Sequence, residues 1–392
     1  MRTNIMLFAV FGAVATAGSV AVADEGSTVG AEEAAGAAVP GQAEVRNIIL
    51  MIADGAGVGA WTAAKYAEDR LAVSRMPVVG LVDTRSARHK VSDSAAGATV
   101  YATGERVMNR TVSVGPASAC PRPRFANFEG VGWPAGCEPL QTWFEIARHK
   151  GRGTALLTTT YVVDATPAAF VAHSPSRYRP QAIAAQIADF GLDVLLGGGK
   201  RFFSGDTRAD GRDLLGEMCA RSHCVESADE LDAYRPDDRP LVGLFASGDM
   251  DDLDERPVGV PAMVEAALGK LVRHRDGFVA MFETEATDNA THANAPLERV
   301  AAEMLEFDRA VAVALDFARR TPGTLLIVTS DHETGGFSLV EAGEDFELHY
   351  ATRDHSAAMV PIFADGPQAE RFGGVRENYE IGQTLMEIVS SW

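Results

Sequence analysis

The sequence predicts an α/β protein, built as a three-layer α/β/α sandwich around a large central, mostly parallel sheet. Three observations support this fold class. Short apolar segments rich in β-branched residues recur along the chain, helical patterns separate them, and the segments do not alternate with polar residues. Strands without alternation are buried on both faces, as in parallel sheets covered by helices. A chain of 392 residues with 46% hydrophobic content can bury such a sheet.

Eight apolar segments carry the strand signal, and in chain order they are residues 47–53, 78–83, 153–160, 193–197, 241–245, 277–283, 324–330 and 359–364. Helical patterns lie between them, near residues 57–70, 94–103, 140–150, 180–190, 261–274 and 297–319. The last of these has apolar residues at helical spacing and is assigned to packing. Two segments without such patterns, 105–139 and 200–240, are predicted to be loop excursions.

Residues 1–23 have the pattern of a secretory signal peptide. An apolar stretch follows a single arginine and ends in small residues, which predicts cleavage after Ala23. The alternative is an uncleaved membrane anchor, because the stretch approaches spanning length. Residues 24–44 have little to bury and are predicted to be a flexible leader, which leaves one folded domain over 45–392. We therefore expect a secreted or periplasmic protein without a stable membrane anchor.

Charge and cysteine content narrow the possible partners and compartment. The net charge is -19, with 54 acidic and 35 basic residues, which argues against a nucleic-acid partner or an anionic membrane surface. The four cysteines lack the paired CxxC spacing of a zinc knuckle. In an exported protein they fit two local disulfides, most simply Cys120 with Cys137 and Cys219 with Cys224, although sequence alone leaves the pairing open.

Acidic residues and histidines gather where the predicted strands end, which is where open α/β sheets place their sites. In chain order they are Asp54, Glu283, Asp288, His292, Asp331, His332 and His355. Any one of them could be an ordinary loop residue. Four carboxylates and three histidines at strand ends are more informative, because mixed imidazole and carboxylate ligands suit zinc, whereas carboxylates and hydroxyls suit magnesium. The set therefore predicts a two-metal centre with a third, harder site.

Ser94 directly follows Asp93 at the start of a predicted helix, so it is either a helix cap or a nucleophile. Metal coordination is one of the few ways to activate a serine hydroxyl, and a helix N-terminus stabilises its alkoxide. Arg177 has the planar fork that matches phosphate oxygens. Together with a metal pair, these residues point to phosphoryl transfer.

The stretches that hold these residues resemble the alkaline phosphatase family of zinc- and magnesium-dependent phosphomonoesterases. They occur in family order over about residues 46–368 and read "NIILMIADGAG", "VSDSAAGATVYATG", "GTALLTTTYVVDATPAAFVAHSPSR", "DVLLGGGKRFF", "ETEATDNATH", "TLLIVTSDHETGG" and "RDHSAAMVPIFADGP". The resemblance implies an alkaline phosphatase-like fold, a single catalytic domain and a homodimer. It also implies hydrolysis of small-molecule phosphate monoesters to an alcohol and inorganic phosphate.

Each site residue receives a role from the same resemblance. Ser94 becomes phosphorylated, Arg177 holds the phosphate, and Asp93 orients Arg177. One zinc ion is bound by Asp288, His292 and His355, and the other by Asp54, Asp331 and His332. One magnesium ion is bound by Asp54, Thr166 and Glu283, with Asp164 acting through a water. His173 lies in a matching stretch and is expected to be structural.

Two departures from the family pattern qualify these assignments. The family often has Glu-Gly-Gly where this chain has Glu283-Thr284-Glu285, so Glu285 is a rival magnesium ligand, although the spacing to Asp288 favours Glu283. Asn289 occupies a position at which relatives often carry a larger or charged residue, and a short neutral side chain should hold phosphate less tightly.

Other metal-dependent enzymes of the same superfamily are the main alternative. Phosphodiesterases usually have a threonine nucleophile and lack the third metal ligands, and sulfatases need a modified residue in another motif. A secreted metal- or phosphate-binding protein without turnover is a further possibility. Ser94, Arg177 and the Thr166 and Glu283 pair favour a monoesterase.

Overall fold

A ten-stranded sheet forms the centre of the protein. The computed structural model describes residues 44–392 except 119, 121–135, 251 and 344. Its strands are β1 (Asn47–Ala53), β2 (Val78–Asp83), β3 (Val114–Gly115), β4 (Glu138–Pro139), β5 (Gly153–Tyr161), β6 (Val194–Gly198), β7 (His223–Val225), β8 (Leu241–Leu244), β9 (Phe278–Thr284), β10 (Thr324–Thr329), β11 (Glu333–Thr334), β12 (Ser338–Ala342), β13 (Asp345–His349), β14 (His355–Ser356), β15 (Val360–Asp365) and β16 (Gly374–Glu377).

Helices pack on both faces of this sheet. They are α1 (Val58–Ala67), α2 (Ser94–Thr103), α3 (Trp143–His149), α4 (Ala165–Val171), α5 (Pro180–Phe190), α6 (Leu214–Cys219), α7 (Ala228–Ala233), α8 (Val260–Leu271), α9 (Ala286–His292), α10 (Leu297–Arg320) and α11 (Asn378–Ser390). Short 3-10 helices cover Ala72–Arg75, Lys200–Phe202 and Ala369–Phe372.

The strand order across the sheet is β16-β2-β15-β10-β1-β9-β5-β6-β8-β7. Strand β15 is antiparallel to both of its neighbours, and the other neighbouring pairs are parallel. Successive side chains of β1 enter opposite cores: Ile48 and Leu50 belong to one, Ile49 and Met51 to the other. Helices α2 to α6 and α11 contribute to the first core, and α1, α7, α8 and α10 to the second. The predicted three-layer α/β/α fold is confirmed.

Each of the eight predicted strands is present with its ends within one residue of prediction. The six predicted helices are present as well. The prediction missed the sheet strands β7 and β16 and the helices α4, α6, α7, α9 and α11. Segment 200–240, predicted as a loop excursion, contains α6, β7 and α7, and β7 extends the sheet at one edge.

Both predicted disulfides are formed. Cys219 at the end of α6 is bonded to Cys224 in β7, and Cys120 is bonded to Cys137 next to the small β3–β4 ladder. In the other predicted excursion, 105–139, residues 119 and 121–135 lie outside the described residues. The predicted signal peptide and all of the predicted leader except Glu44 also lie outside them. Within the described part of the chain, no helix is both long and apolar enough to cross a membrane.

Helix α2 is buried along its whole length and packs closely against the end of β10. A Cβ atom added at Gly97 would lie 2.7 Å from the carbonyl oxygen of Asp331 and 3.0 Å from its Cβ. The absence of a side chain at this position therefore brings the helix that begins at Ser94 into contact with the segment that carries Asp331.

We expect Gly97→Ala to destabilise the protein by about 1–3 kcal/mol, because the added methyl group must push α2 away from Asp331. The matched control is Gly269→Ala in α8, where a Cβ has no neighbour within 4 Å. That change should stabilise by about 0.5–1 kcal/mol, the ordinary gain from alanine in a helix. Thermal unfolding of both variants measures the difference, and equal shifts would contradict the close-packing explanation.

Candidate active site

The predicted site residues meet at the carboxyl ends of four adjacent strands, β10, β1, β9 and β5. Asp54 follows β1, and Asp331 and His332 follow β10. Helix α9 begins directly beyond β9 and carries Asp288 and His292 on one face, four residues apart. Parallel strands end at the same edge of a sheet, so four separate parts of the chain deliver polar groups to one place.

Asp54, Asp331 and His332 form a fully buried group, which we call the inner cluster. The Nε2 atom of His332 lies 3.3 Å from an oxygen of each of the two carboxylates. The hydroxyl oxygen of Ser94 lies 3.2 Å from the same Nε2 atom. Three potential metal ligands and a serine hydroxyl thus converge on one point.

Asp288, His292 and His355 form a half-buried group, which we call the outer cluster. The Nε2 atoms of the two histidines are 3.2 Å apart, and Asp288 lies 3.2 Å from His292 and 3.9 Å from His355. Both Nδ1 atoms contact backbone carbonyls, that of His355 at 2.8 Å from Ser92 and that of His292 at Arg353. A carbonyl only accepts, so Nδ1 carries the proton in a neutral ring and Nε2 is left as a lone pair aimed into the cluster.

A third group of oxygen atoms lies beside the inner cluster. The Thr166 hydroxyl donates to Asp54 Oδ2 at 3.3 Å, and the Thr158 hydroxyl donates to Glu283 Oε2 at 2.5 Å. Glu283 is 1% exposed, whereas Glu285 is only half-buried. Glu283 is thus the more deeply buried of the two rival carboxylates.

Asp93 contacts three partners at the start of α2. As the residue preceding the helix, it accepts a hydrogen bond from the amide of Ala96 at 3.1 Å. It also accepts from the Arg110 amide and lies 3.4 Å from Nη1 of Arg177. The other terminal nitrogen of Arg177 donates to both oxygens of Asp164, at 3.1 and 3.2 Å. Two carboxylates therefore fix the guanidinium near Ser94.

The family profile that describes alkaline phosphatases matches residues 45–349. The chain belongs to the alkaline phosphatase family. It is 31% identical over 354 residues to alkaline phosphatase 3 of Bacillus subtilis, covering 84% of this chain and 71% of that protein. It is 33% identical over 427 residues to the streptomycin-6-phosphate phosphatase of Streptomyces griseus, covering 88% and 90% of the two chains. The solved alkaline phosphatase of the Antarctic bacterium TAB5 superimposes with a TM-score of 0.77 at 27% identity, covering 89% of this chain and 99% of that one.

Family membership identifies the chain as a phosphatase and directs attention to its metal ligands. In each of two groups, the potential ligand atoms all lie within 4.8 Å of one another. The first group is the inner cluster, and the second consists of Asp288, His332 and His355. His332 thus borders both clusters, while His292 joins the outer cluster through its contacts with Asp288 and His355. A variant of the TAB5 alkaline phosphatase has a structure with magnesium bound.

The buried acids of this phosphatase fit metal cations. Burial, followed by repulsion from neighbouring carboxylates, raises the pKa of Asp54 well above its ordinary value, and burial also raises that of Asp331 to about 7. Burial raises the pKa of Glu283 too. Asp54 Oδ1, Glu283 Oε1 and both carboxylate oxygens of Asp331 are among the buried side-chain atoms of the described residues that have no hydrogen-bond partner. Divalent cations would satisfy these oxygens.

Asp164 and His173 occupy different surroundings from the two clusters. Asp164, which the resemblance places at the magnesium site through a water, holds Arg177 in the structure. The ring of His173 contacts the Ser113 carbonyl and Glu145, each at 2.9 Å. Burial opposes protonation of His173, but the hydrogen bonds to Glu145 and to the Ser113 carbonyl, together with the charge of Glu145, outweigh it and raise the pKa of His173.

Sequence reasoning missed two threonines. Thr158, inside β5, holds Glu283, and Thr334, two residues beyond His332, contacts side chains of both clusters. A hydroxyl at the end of a strand that delivers ligands is a usable signal for Thr334. Thr158 has no such signal, because it lies in a run of three threonines within a buried strand.

Removing metal should destabilise the protein, and the loss should grow as pH rises from about 4 to about 7. A carboxyl group with a raised folded-state pKa holds its proton more tightly when folded, so its stabilising effect is lost between the unfolded value, about 4, and the folded value. For Asp331 that window ends at about 7. Melting temperatures of metal-loaded and EDTA-treated protein measure the effect, and a difference independent of pH would contradict it.

Proposed function

We propose that this phosphatase hydrolyses phosphate monoesters to an alcohol and inorganic phosphate through a phosphoserine at Ser94, with two zinc ions and one magnesium ion per chain. The observation that carries the proposal is the position of the Ser94 hydroxyl, 3.2 Å from Nε2 of His332 at the inner cluster. Helix α2 begins at this residue, so its free amides and dipole favour an alkoxide there.

The side-chain chemistry fits the metals. The inner and outer clusters would each hold one zinc ion. Asp54, Thr166 and Glu283 would hold magnesium, with Asp164 connected through a water. When bound, these ions supply Lewis-acid charge that lowers the pKa of hydroxyl ligands and neutralises phosphoryl oxygens. The orphaned oxygens of Asp54, Asp331 and Glu283 support this assignment.

Ser94 and Arg177 would then carry out two displacements. The Ser94 hydroxyl gives up its proton to solvent water as its oxygen attacks phosphorus, the ester bond to the alcohol breaks, and the leaving oxygen takes a proton from water. A second water attacks the phosphoserine, the bond between Ser94 and phosphorus breaks, and the serine regains its proton. Arg177 has five donors, and those not used by Asp93 and Asp164 can bind the equatorial oxygens of the phosphoryl group.

Replacing the nucleophile tests the proposal. Ser94→Ala should lower kcat for p-nitrophenyl phosphate at least about 10³-fold and leave the metal content per chain unchanged. The assay at alkaline pH includes metal-loaded and EDTA-treated wild type. Activity retained in Ser94→Ala would overturn the covalent step. Absence of release by metal-loaded wild type, with turnover of a diester or a sulfate instead, would overturn the monoesterase assignment.

The range of alcohols is a separate question. One relative is named for streptomycin 6-phosphate, whereas others are named only as alkaline phosphatases. A metal pair and Arg177 recognise the phosphoryl group and little of the alcohol. We therefore propose a monoesterase of broad substrate range. Its kcat/KM values for aryl, sugar and aminocyclitol phosphates should differ by less than about tenfold.

Asn289 should set a weak affinity for the product phosphate. It is an exposed residue of α9, adjacent to the outer-cluster ligand Asp288. We expect Asn289→Lys to tighten competitive inhibition by inorganic phosphate about tenfold, because the added ammonium group places a positive charge beside bound phosphate. Asn289→Gln is the neutral control of greater length. Unchanged phosphate inhibition in the lysine variant would contradict this role.

We also propose that the chain is exported, with cleavage after Ala23, and that it acts as a homodimer in the periplasm or outside the cell. Two described disulfides, Cys120–Cys137 and Cys219–Cys224, support an oxidising compartment.

A further inference from the structure

Thr334 lies at the meeting point of the two clusters. It is fully buried in the short strand β11. Its hydroxyl donates to Oδ1 of Asp288 at 2.5 Å and lies 3.3 Å from Nδ1 of His332. One side-chain oxygen thus contacts a ligand of the outer cluster and a ligand of the inner cluster.

The backbone of Thr334 is tied to the remaining ligand-bearing segments. Its amide donates to the carbonyl of Gly55, next to Asp54, at 3.0 Å. It also pairs with His355 across the antiparallel β11–β14 ladder. The residue therefore touches every segment that supplies the two clusters: those after β1 and β10, helix α9 and strand β14.

The proton positions in this contact follow from the donors and acceptors available. A hydroxyl has one proton, and the Asp288 carboxylate can only accept, so that proton is directed to Asp288. The Thr334 oxygen then accepts from Nδ1–H of His332. This tautomer leaves the Nε2 atom of His332 unprotonated and directed at Ser94 and the inner carboxylates.

Gly55 provides the space for the contact. Its φ of +69° is in the left-handed region, and a Cβ there would lie 2.6 Å from Asp288 Oδ1 and 2.9 Å from the Thr334 hydroxyl oxygen. Any larger residue would force the two partners apart. The hydroxyl bridge is thus enclosed by backbone on the side of β1.

We propose that Thr334 is a positioning residue that couples the two clusters, so that a metal ion bound in one raises the affinity of the other. The proposal rests on the two-metal function proposed above. Its physical basis is that Asp288 and His332 share one hydroxyl: fixing either ligand fixes the orientation of the other before its own metal binds.

Two substitutions of Thr334 test the role of the hydroxyl in the full chain. Thr334→Val keeps the shape and removes the hydroxyl, whereas Thr334→Ser keeps the hydroxyl. Thr291→Val is the matched control, because Thr291 is equally buried in α9 and its hydroxyl donates only to backbone carbonyls. Zinc affinity, measured by chelator competition, should fall about 10–100-fold in Thr334→Val. It should change less than about threefold in Thr334→Ser and in Thr291→Val.

A double-mutant cycle with His292→Ala measures the coupling itself. Removing this outer-cluster ligand should weaken zinc binding at the inner cluster about 5–50-fold when residue 334 is threonine. The same change should have less than about a twofold effect in the Thr334→Val background. With cobalt in place of zinc, the optical spectrum reports the geometry of the ligands around the metal. It should differ between the wild type and Thr334→Val, whereas a purely structural role of Thr334 would leave it unchanged. Circular dichroism of the metal-free proteins verifies that each variant is folded.

Different results overturn the two proposals. Equal effects of His292→Ala in both backgrounds, or equal losses in the valine and serine variants, would overturn the coupling by Thr334. Failure of the wild type to bind two zinc ions would instead overturn the two-metal function. Because the wild-type titration and phosphatase assay are scored first, the two failures are distinguishable.

Discussion

The burial of several mutually repelling carboxylates is the constraint on which the site depends. Asp54, Asp331 and Glu283 are each no more than 1% exposed, and they lie at the ends of adjacent strands. Buried anions without compensation are strongly unfavourable, so this arrangement is compatible with folding only if cations or protons neutralise it. The sheet and its two cores provide the rigidity that keeps these groups together against that repulsion. The acids are consequently held in place for metal binding before any metal arrives.

The positively charged group of the site, the guanidinium of Arg177, is held by attraction to carboxylates rather than placed against repulsion. Arg177 is held by Asp93 and Asp164, and Asp93 is itself fixed by amides of Ala96 and Arg110. The residue that caps helix α2 is therefore also the residue that aims the guanidinium. Capping and substrate binding are not competing interpretations of the Asp93-Ser94 pair, because one carboxylate performs both.

The sequence was sufficient to predict eight of the ten strands of the central sheet, and the elements that it did not predict were missed for physical reasons. Buried parallel strands are continuous apolar runs, so their boundaries were visible. Helices α4 and α9 were missed because each spans only seven residues and lacks an apolar stripe: α4 is buried on every side and contains a proline, and α9 is polar at most positions. Strand β16 was missed because it is short and exposed. Edge strands of this kind carry no strong hydrophobic signal.

The site, like the fold, could be predicted only in part from the sequence. Ligands that directly follow a strand could be assigned from position, but contacts between side chains of separate segments could not. The two threonine contacts, and the pairing of Asp164 with Arg177, depend on distances across the sheet edge. No periodicity along the chain encodes such distances. Family resemblance gave the roles of individual residues, and geometry gave their partners.

The single reversed strand has a consequence for how this architecture can change. Because β15 runs against β10, the start of β15 lies at the same edge as the end of β10, and the chain returns there without a crossover helix. Both ends of the connection between His332 and His355 are thus anchored at proposed metal ligands. The β12–β13 hairpin between them can be lengthened, shortened or exchanged while those ligands stay fixed. This connection can therefore gain lids, recognition surfaces or docking elements during evolution without a change in the strands that position the site.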